Sequence, residues 1–201
     1  MAFAAVDLDA ARRTLDLDRR IRDTPPTAMS RGIFFNMLRD DLRRRGLLGL
    51  REVDKLLAKP RRTFELYSTR ELIEAYGMAG AMIADDPVEG TRELFAGTAR
   101  YFSSTWYGRA FARFLKPDPL AALDWIERSR EHVANYGRWR VERRGKTEAI
   151  MHMFDEYLWI DGAQRGGCEG LLAACGVVGE VRAELESPYT GRLHVSWQQR
   201  N

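Results

Sequence analysis

Apolar residues recur at helical spacing from Arg31 onward, where Phe34, Met37, Leu38 and Leu42 share one helix face. After a break at Pro60, the positions Leu72, Ile73, Tyr76, Met78, Ala79, Met82 and Ile83 predict a second apolar helix. Asp85-Asp86-Pro87 reads as a helix start, with Asp86 capping and Pro87 in the first turn. That helix is expected to run through Leu94, Phe95, Tyr101 and Phe102 to Trp106, with Gly97 inside it and Tyr107-Gly108 at its end. Arg109 to Leu115 continues as a short helix. Asp118-Pro119 repeats the start signal and opens a helix through Leu123, Trp125 and Ile126 to Tyr136.

Upstream of Arg31 the pattern is polar. Leu15 to Pro26 reads as an extended lead-in, and residues 1–30 as an arm packed on one domain spanning 31–201. Beyond Gly145 the period changes, and Lys146 to Trp159 partly alternates as a strand does. Gly166-Gly167 leads into a short helix from Cys168 to Cys175. Val178 to Glu186 and Arg192 to Gln198 then read as a hairpin about Pro188-Tyr189-Thr190-Gly191. The expected class is α+β: an N-terminal helical layer followed by a small antiparallel sheet with one packed helix.

Composition fits this picture. Hydrophobic residues make up 45% and charged residues 30% of the 201, the balance of a soluble globular chain. The net charge of +3 arises from 32 basic against 29 acidic residues, and only four of the 32 are lysines. Such an arginine excess follows codon composition as readily as it follows nucleic-acid binding. MAFAAVDLDAARR has no positively charged region before Asp7, so no secretory signal is expected, and no apolar run approaches the ~20 residues of a membrane span. With two cysteines and no export signal, a reduced, cytoplasmic protein is expected.

The familiar catalytic signals are missing: there is no Gly-rich phosphate loop, no G-x-S-x-G, no H-E-x-x-H and no C-x-x-C. Gly166-Gly167-Cys168-Glu169-Gly170 opens a helix, reading as a loop-to-helix turn or, alternatively, as an anion site. Tyr136 to Lys146 interleaves Arg138, Arg140, Arg143 and Arg144 with Tyr136 and Trp139. It reads as a solvated connection or as an anion or nucleic-acid patch. His132, His152 and His194 are scattered, and hydrogen-bonded surface positions are expected for them. Phe35, Met78, Met82, Phe102, Trp106, Phe111 and Trp125 form an aromatic and methionine set that reads as core or as the lining of an apolar pocket.

Pro25-Pro26, Arg31-Gly32-Ile33-Phe34-Phe35-Asn36, the stretch Ala96 to Gly108 and the closing Leu193-His194-Val195-Ser196-Trp197 resemble a myxobacterial family of paralogous proteins of unknown function, over Leu15 to Trp197. More distantly, the order of elements is similar to the heme–nitric-oxide-binding domain, the vinyl-4-reductase-type sensor domains and the TRAPP trafficking subunits. That resemblance implies a helical layer and a small sheet around an apolar pocket, with several members dimeric. Leu123 to Tyr136 looks like the helix that supplies the heme ligand, where the sequence offers only His132, near the C-terminal end among charged residues. The family's Tyr-x-Ser-x-Arg clamp is missing, since GRWRVERRG follows Tyr136. Heme is therefore not expected. Zinc is not expected either, because Glu184 to Gln199 lacks cysteine, and Cys168 and Cys175 stand seven apart.

The expected function is a non-enzymatic sensor or adaptor that binds a small apolar or acyl-like ligand or a partner protein, without heme. The alternative is a protein–protein scaffold with a self-filled core, as a homodimer or hetero-complex. Anion or nucleic-acid binding through Arg138 to Lys146 is the weaker alternative.

Overall fold

The computed structural model describes residues 7–48, 55, 57, 61–105 and 118–198. In chain order the elements are α1 (Leu8–Thr14), α2 (Leu17–Asp23), β1 (Met29–Arg31), α3 (Ile33–Arg44), β2 (Leu66–Ser68), α4 (Thr69–Ile83), α5 (Pro87–Ala96) and α6 (Thr98–Ser104). There follow α7 (Pro119–Val133), β3 (Arg138–Arg143), β4 (Glu148–Phe154), a π-turn (Ile160–Gln164), α8 (Arg165–Ala174), β5 (Gly179–Ser187) and β6 (Thr190–Trp197). The fold is α+β, with a helical layer first and an antiparallel sheet of order β3-β4-β6-β5 after it. No helix among the described residues is long and apolar enough to cross a membrane.

Leu15 and Leu17, on either side of left-handed Asp16, enter the helical core together with Phe35, Leu38, Leu42, Tyr76 and Phe95. The segment read as an extended lead-in, Leu15 to Pro26, thus holds the helix α2, and α1 stands just before it. Its charged positions mask two core leucines that sit too close together to set up a helical period. The second core lies between the sheet and two helices. Met151, Met153, Leu193, Val195 and Val181 face Leu123 of α7 and Cys168 and Leu172 of α8.

The proline-marked starts form as read. Asp86 accepts from Val88 N–H at 2.9 Å and Asp118 from Leu120 N–H at 3.0 Å. The single helix expected from Pro87 to Trp106 is instead two. The Thr98 hydroxyl takes the Phe95 carbonyl at 2.6 Å, competing with the backbone ladder where glycine already weakens it. Trp106 and the expected Arg109–Leu115 helix lie outside the described residues.

The arginine-rich run is also not a connection. Arg138–Arg143 is an edge strand paired along its length with β4, Val141 opposite Met151. Trp139 and Val141 face the core while Arg138, Arg140 and Glu142 face out, a period of two hidden by the charge of one face.

On the outer face His152 contacts Glu142 at 3.0 Å and His194 contacts Glu184 at 3.1 Å. Glu184 also accepts from Arg192, and these two partners hold its carboxyl down to about 2. Its folded value lies below the ordinary 4.5, so its contribution to stability is present above that pH and lost as pH falls through about 2. A carboxylate-resolved NMR titration should therefore place the Glu184 midpoint near 2, and an ordinary midpoint would contradict the pairing.

Candidate functional site

The most elaborate polar arrangement lies where α7, the sheet and the N-terminal helices meet. β4 ends at Phe154, and the chain then turns through Asp155, which is left-handed at φ 54°. Gly137 opposite is left-handed at φ 68°, and a Cβ there would stand 3.0 Å from the Asp155 carbonyl. These two residues let the chain bend sharply enough to drive Glu156 into the interior, where it is fully buried.

Every accepting position used on Glu156 has a donor. Its Oε2 accepts from Arg130 Nη2 at 3.1 Å and from Trp139 Nε1 at 3.0 Å, and its Oε1 from Leu158 N–H at 3.1 Å. The Arg130 guanidinium lies between the rings of Tyr136 and Trp139, 4.6 and 4.8 Å from their centroids. Burial, and then the charge of Glu156, pushes the Tyr136 phenol up to about 12.

The row continues through tyrosine rings in tilted contact, Tyr136 to Tyr157 at 5.5 Å and Tyr157 to Tyr189 at 5.3 Å. At its far end Arg20 of α2 sits over Tyr189 and Trp159, at 5.4 and 5.2 Å, and donates to the Tyr157 carbonyl. Tyr189 donates its hydroxyl to Asp23 at 2.9 Å. Arginine and aromatic groups thus tie α2, α7, β3 and the β5–β6 turn together. The phenols stay protonated at neutral pH and the guanidinium of Arg130 is matched by Glu156, so the arrangement positions elements and offers no nucleophile.

Sequence reading missed Arg20, Arg130 and Glu156. The pair Asp155-Glu156 stands out as acidic, but its arginine lies 26 positions away with no local sign of the pairing.

The pocket candidates fall into two groups. Phe35 is buried in the helical core, edge-on to Tyr67 at 5.9 Å, with the Arg61 guanidinium over both rings. Met78 and Met82 pack half-buried against that same core. Phe102 and Trp125 form a half-buried pair across α6 and α7, with centroids 6.2 Å apart. Trp106 and Phe111 lie outside the described residues.

Of the basic candidates, Arg143 pairs with Asp124 and Arg144 with Glu142 at 3.0 Å, while Arg138 lies over Phe154. Arg140 is exposed and shares the field of Glu142. Carboxylates are thus threaded through the basic run.

The glycine motif is neither a turn nor an anion cradle. Gly166 and Gly170 lie inside α8 at its crossing with α5, where an added Cβ would stand 2.0 Å from the Arg92 carbonyl and 2.4 Å from that of Ala96. Cys168 is buried against the sheet, and burial pushes its thiol up to about 12, so it stays protonated at neutral pH. His132 is exposed at the end of α7, its carbonyl accepting from Arg31 Nε at 2.8 Å.

Arg31 belongs to the Arg31–Asn36 motif, whose other members are also structural. Gly32 passes so close to Arg62 that a Cβ would stand 2.2 Å from its carbonyl, and Asn36 donates to the Arg61 carbonyl at 3.1 Å. A sequence profile described as a protein of unknown function, DUF2378, matches residues 24–198, a span that holds this motif and both cores. The chain belongs to the DUF2378 family.

No curated protein matches this DUF2378 chain. Among solved structures it is similar to the Fe(II) unliganded H-NOX protein from K. algicida, with a TM-score of 0.65 at 14% identity, over 85% of this chain and 97% of that one. It is also similar to an H-NOX protein from S. oneidensis in the Fe(II)NO ligation state, with a TM-score of 0.60 at 12% identity, over 84% and 99%. A mutant H-NOX of T. tengcongensis matches with a TM-score of 0.57 at 16% identity, over 84% and 98%. At these identities the likeness is one of fold: this DUF2378 protein has an H-NOX-like fold.

Proposed function

We propose that this protein is a non-enzymatic sensor or adaptor that uses the H-NOX-like fold without heme, binding a small apolar or acyl-like ligand or a partner protein. The observation that carries the reading is the state of the helix that resembles the heme-bearing one. α7 offers a single histidine, His132, which is exposed and tied through its backbone to Arg31. The other two histidines and Cys168 fit an axial heme ligand no better. His152 and His194 stand on the outer sheet face against carboxylates, and the Cys168 thiol is buried against the sheet. Among the described residues these groups pair no nucleophile with a base, which supports a non-enzymatic role.

Phe102 and Trp125 are the best candidates for contact with an apolar guest, because they are half-buried while Phe35 is packed in the closed core. The scaffold reading draws support from that closed core, in which Tyr76 and Trp159 are fully buried and Tyr76 lies 4.4 Å from Phe95. Native mass spectrometry of freshly purified protein, before and after denaturation, separates the two. An excess mass that vanishes on denaturation is expected. A clean apo mass would overturn ligand binding and leave the scaffold.

A further inference from the structure

The two edges of the sheet are finished differently. The β3 edge is covered by α7, with Glu127 accepting from Val141 N–H at 2.8 Å and Asp124 pairing with Arg143. The β5 edge is open among the described residues apart from Arg165, whose Nε donates to the Val181 carbonyl at 3.1 Å. Gln198 N–H donates to the Val178 carbonyl, so the even positions of β5 face β6. Gly179, Val181, Ala183 and Leu185 consequently turn their N–H and C=O groups outward.

An open antiparallel edge invites another strand. The residues of β5 say which one. Antiparallel self-pairing about Ala183 places Arg182, which pairs with Glu180 in its own chain, opposite Glu184 of the second copy, which Arg192 and His194 hold in its own chain. Each opposite charge thus extends an existing pair, and the reverse contact repeats it. The pairing also sets Val181 against Leu185 on the core-facing side. Leu185 is 45% exposed in the single chain, an apolar residue on the inner face just beyond the reach of the core, and this pairing covers it. The bound carbonyl of Val181 keeps a second lone pair for the incoming N–H. β5 bulges between Leu185 and Ser187, which limits the pairing to the central residues.

We propose that the β5 edge is a homodimer interface, formed by antiparallel pairing of β5 with β5 of a second copy about Ala183. The sheet then runs continuously through both chains. Pairing this short belongs with the small, weak and transient interfaces, so the dimer should depend on concentration. The inference is independent of whether a ligand binds.

The test is the oligomeric state of the full chain across micromolar concentrations, by light scattering after size exclusion. A concentration-dependent dimer is expected. Ala183→Pro removes an outward N–H that the ladder with β6 does not use, a change an edge strand tolerates, so it should leave the circular dichroism unchanged and shift the protein to monomer. Arg182→Glu and Glu184→Arg should each be monomeric alone, by like-charge opposition, and should dimerise when mixed, because the mixed pair restores both contacts. That mixing experiment decides the matter if Ala183→Pro fails to fold. A wild-type monomer throughout, or a dimer indifferent to these substitutions, overturns the proposal.

Discussion

Glu156→Ala should destabilise the protein by about 3–5 kcal/mol, because it leaves the buried Arg130 guanidinium without a counter-charge. Trp139 Nε1 and the buried Leu158 N–H lose their acceptor in the same step. For a chain of this length the melting temperature should fall on the order of 10 °C. The pair is diagnosed by a cycle with Arg130→Met. The double variant should be less destabilised than the sum of the single ones, by roughly 0.5–3 kcal/mol, since it strands no charge. Strict additivity would show that the two residues do not act as a unit, and the junction would then owe its order to apolar packing alone.

Gly166→Ala and its neighbour Gly167→Ala should move stability in opposite directions. At Gly166 the new methyl would meet backbone, the Arg92 carbonyl, at 2.0 Å. No side-chain rotation relieves that contact, so α8 must lift from α5 at a cost of about 3 kcal/mol. At Gly167 the nearest atom to a new Cβ is a Phe95 ring carbon at 3.9 Å, an ordinary contact. Alanine there improves a helix interior by up to about 1 kcal/mol. Chemical denaturation of the two variants reads the difference directly. Equal and small effects would mean that the motif is a pliable turn rather than a helix crossing.

These two sites mark the limit of what the chain discloses on its own. The caps at Asp86 and Asp118 are legible because a cap is settled within a few residues, and the β5–β6 hairpin is legible for the same reason. β3 was legible in principle. Trp139 and Val141 alternate with charged residues, but the density of arginine draws attention to the solvent side and away from the period. The break at Gly97 depends on which donor wins the Phe95 carbonyl, a local contest that spacing does not decide. The Arg130–Glu156 pair and the α5–α8 crossing are contacts between distant segments. A buried arginine has the same letter as an exposed one, and a packing glycine has the same letter as a turn glycine. For the candidate site, the aromatic and methionine set was identified as a set, yet its division into core and half-buried members follows from helix orientation.

The proposed function requires an H-NOX-like fold that operates without heme. It is tested most directly by adding hemin to the purified protein, reducing it and recording the visible spectrum against a His132→Ala variant. No stoichiometric histidine-ligated heme spectrum is expected from either protein, since His132 is exposed at the end of α7. A ferrous histidine-ligated spectrum at one heme per chain that is lost in His132→Ala would contradict it.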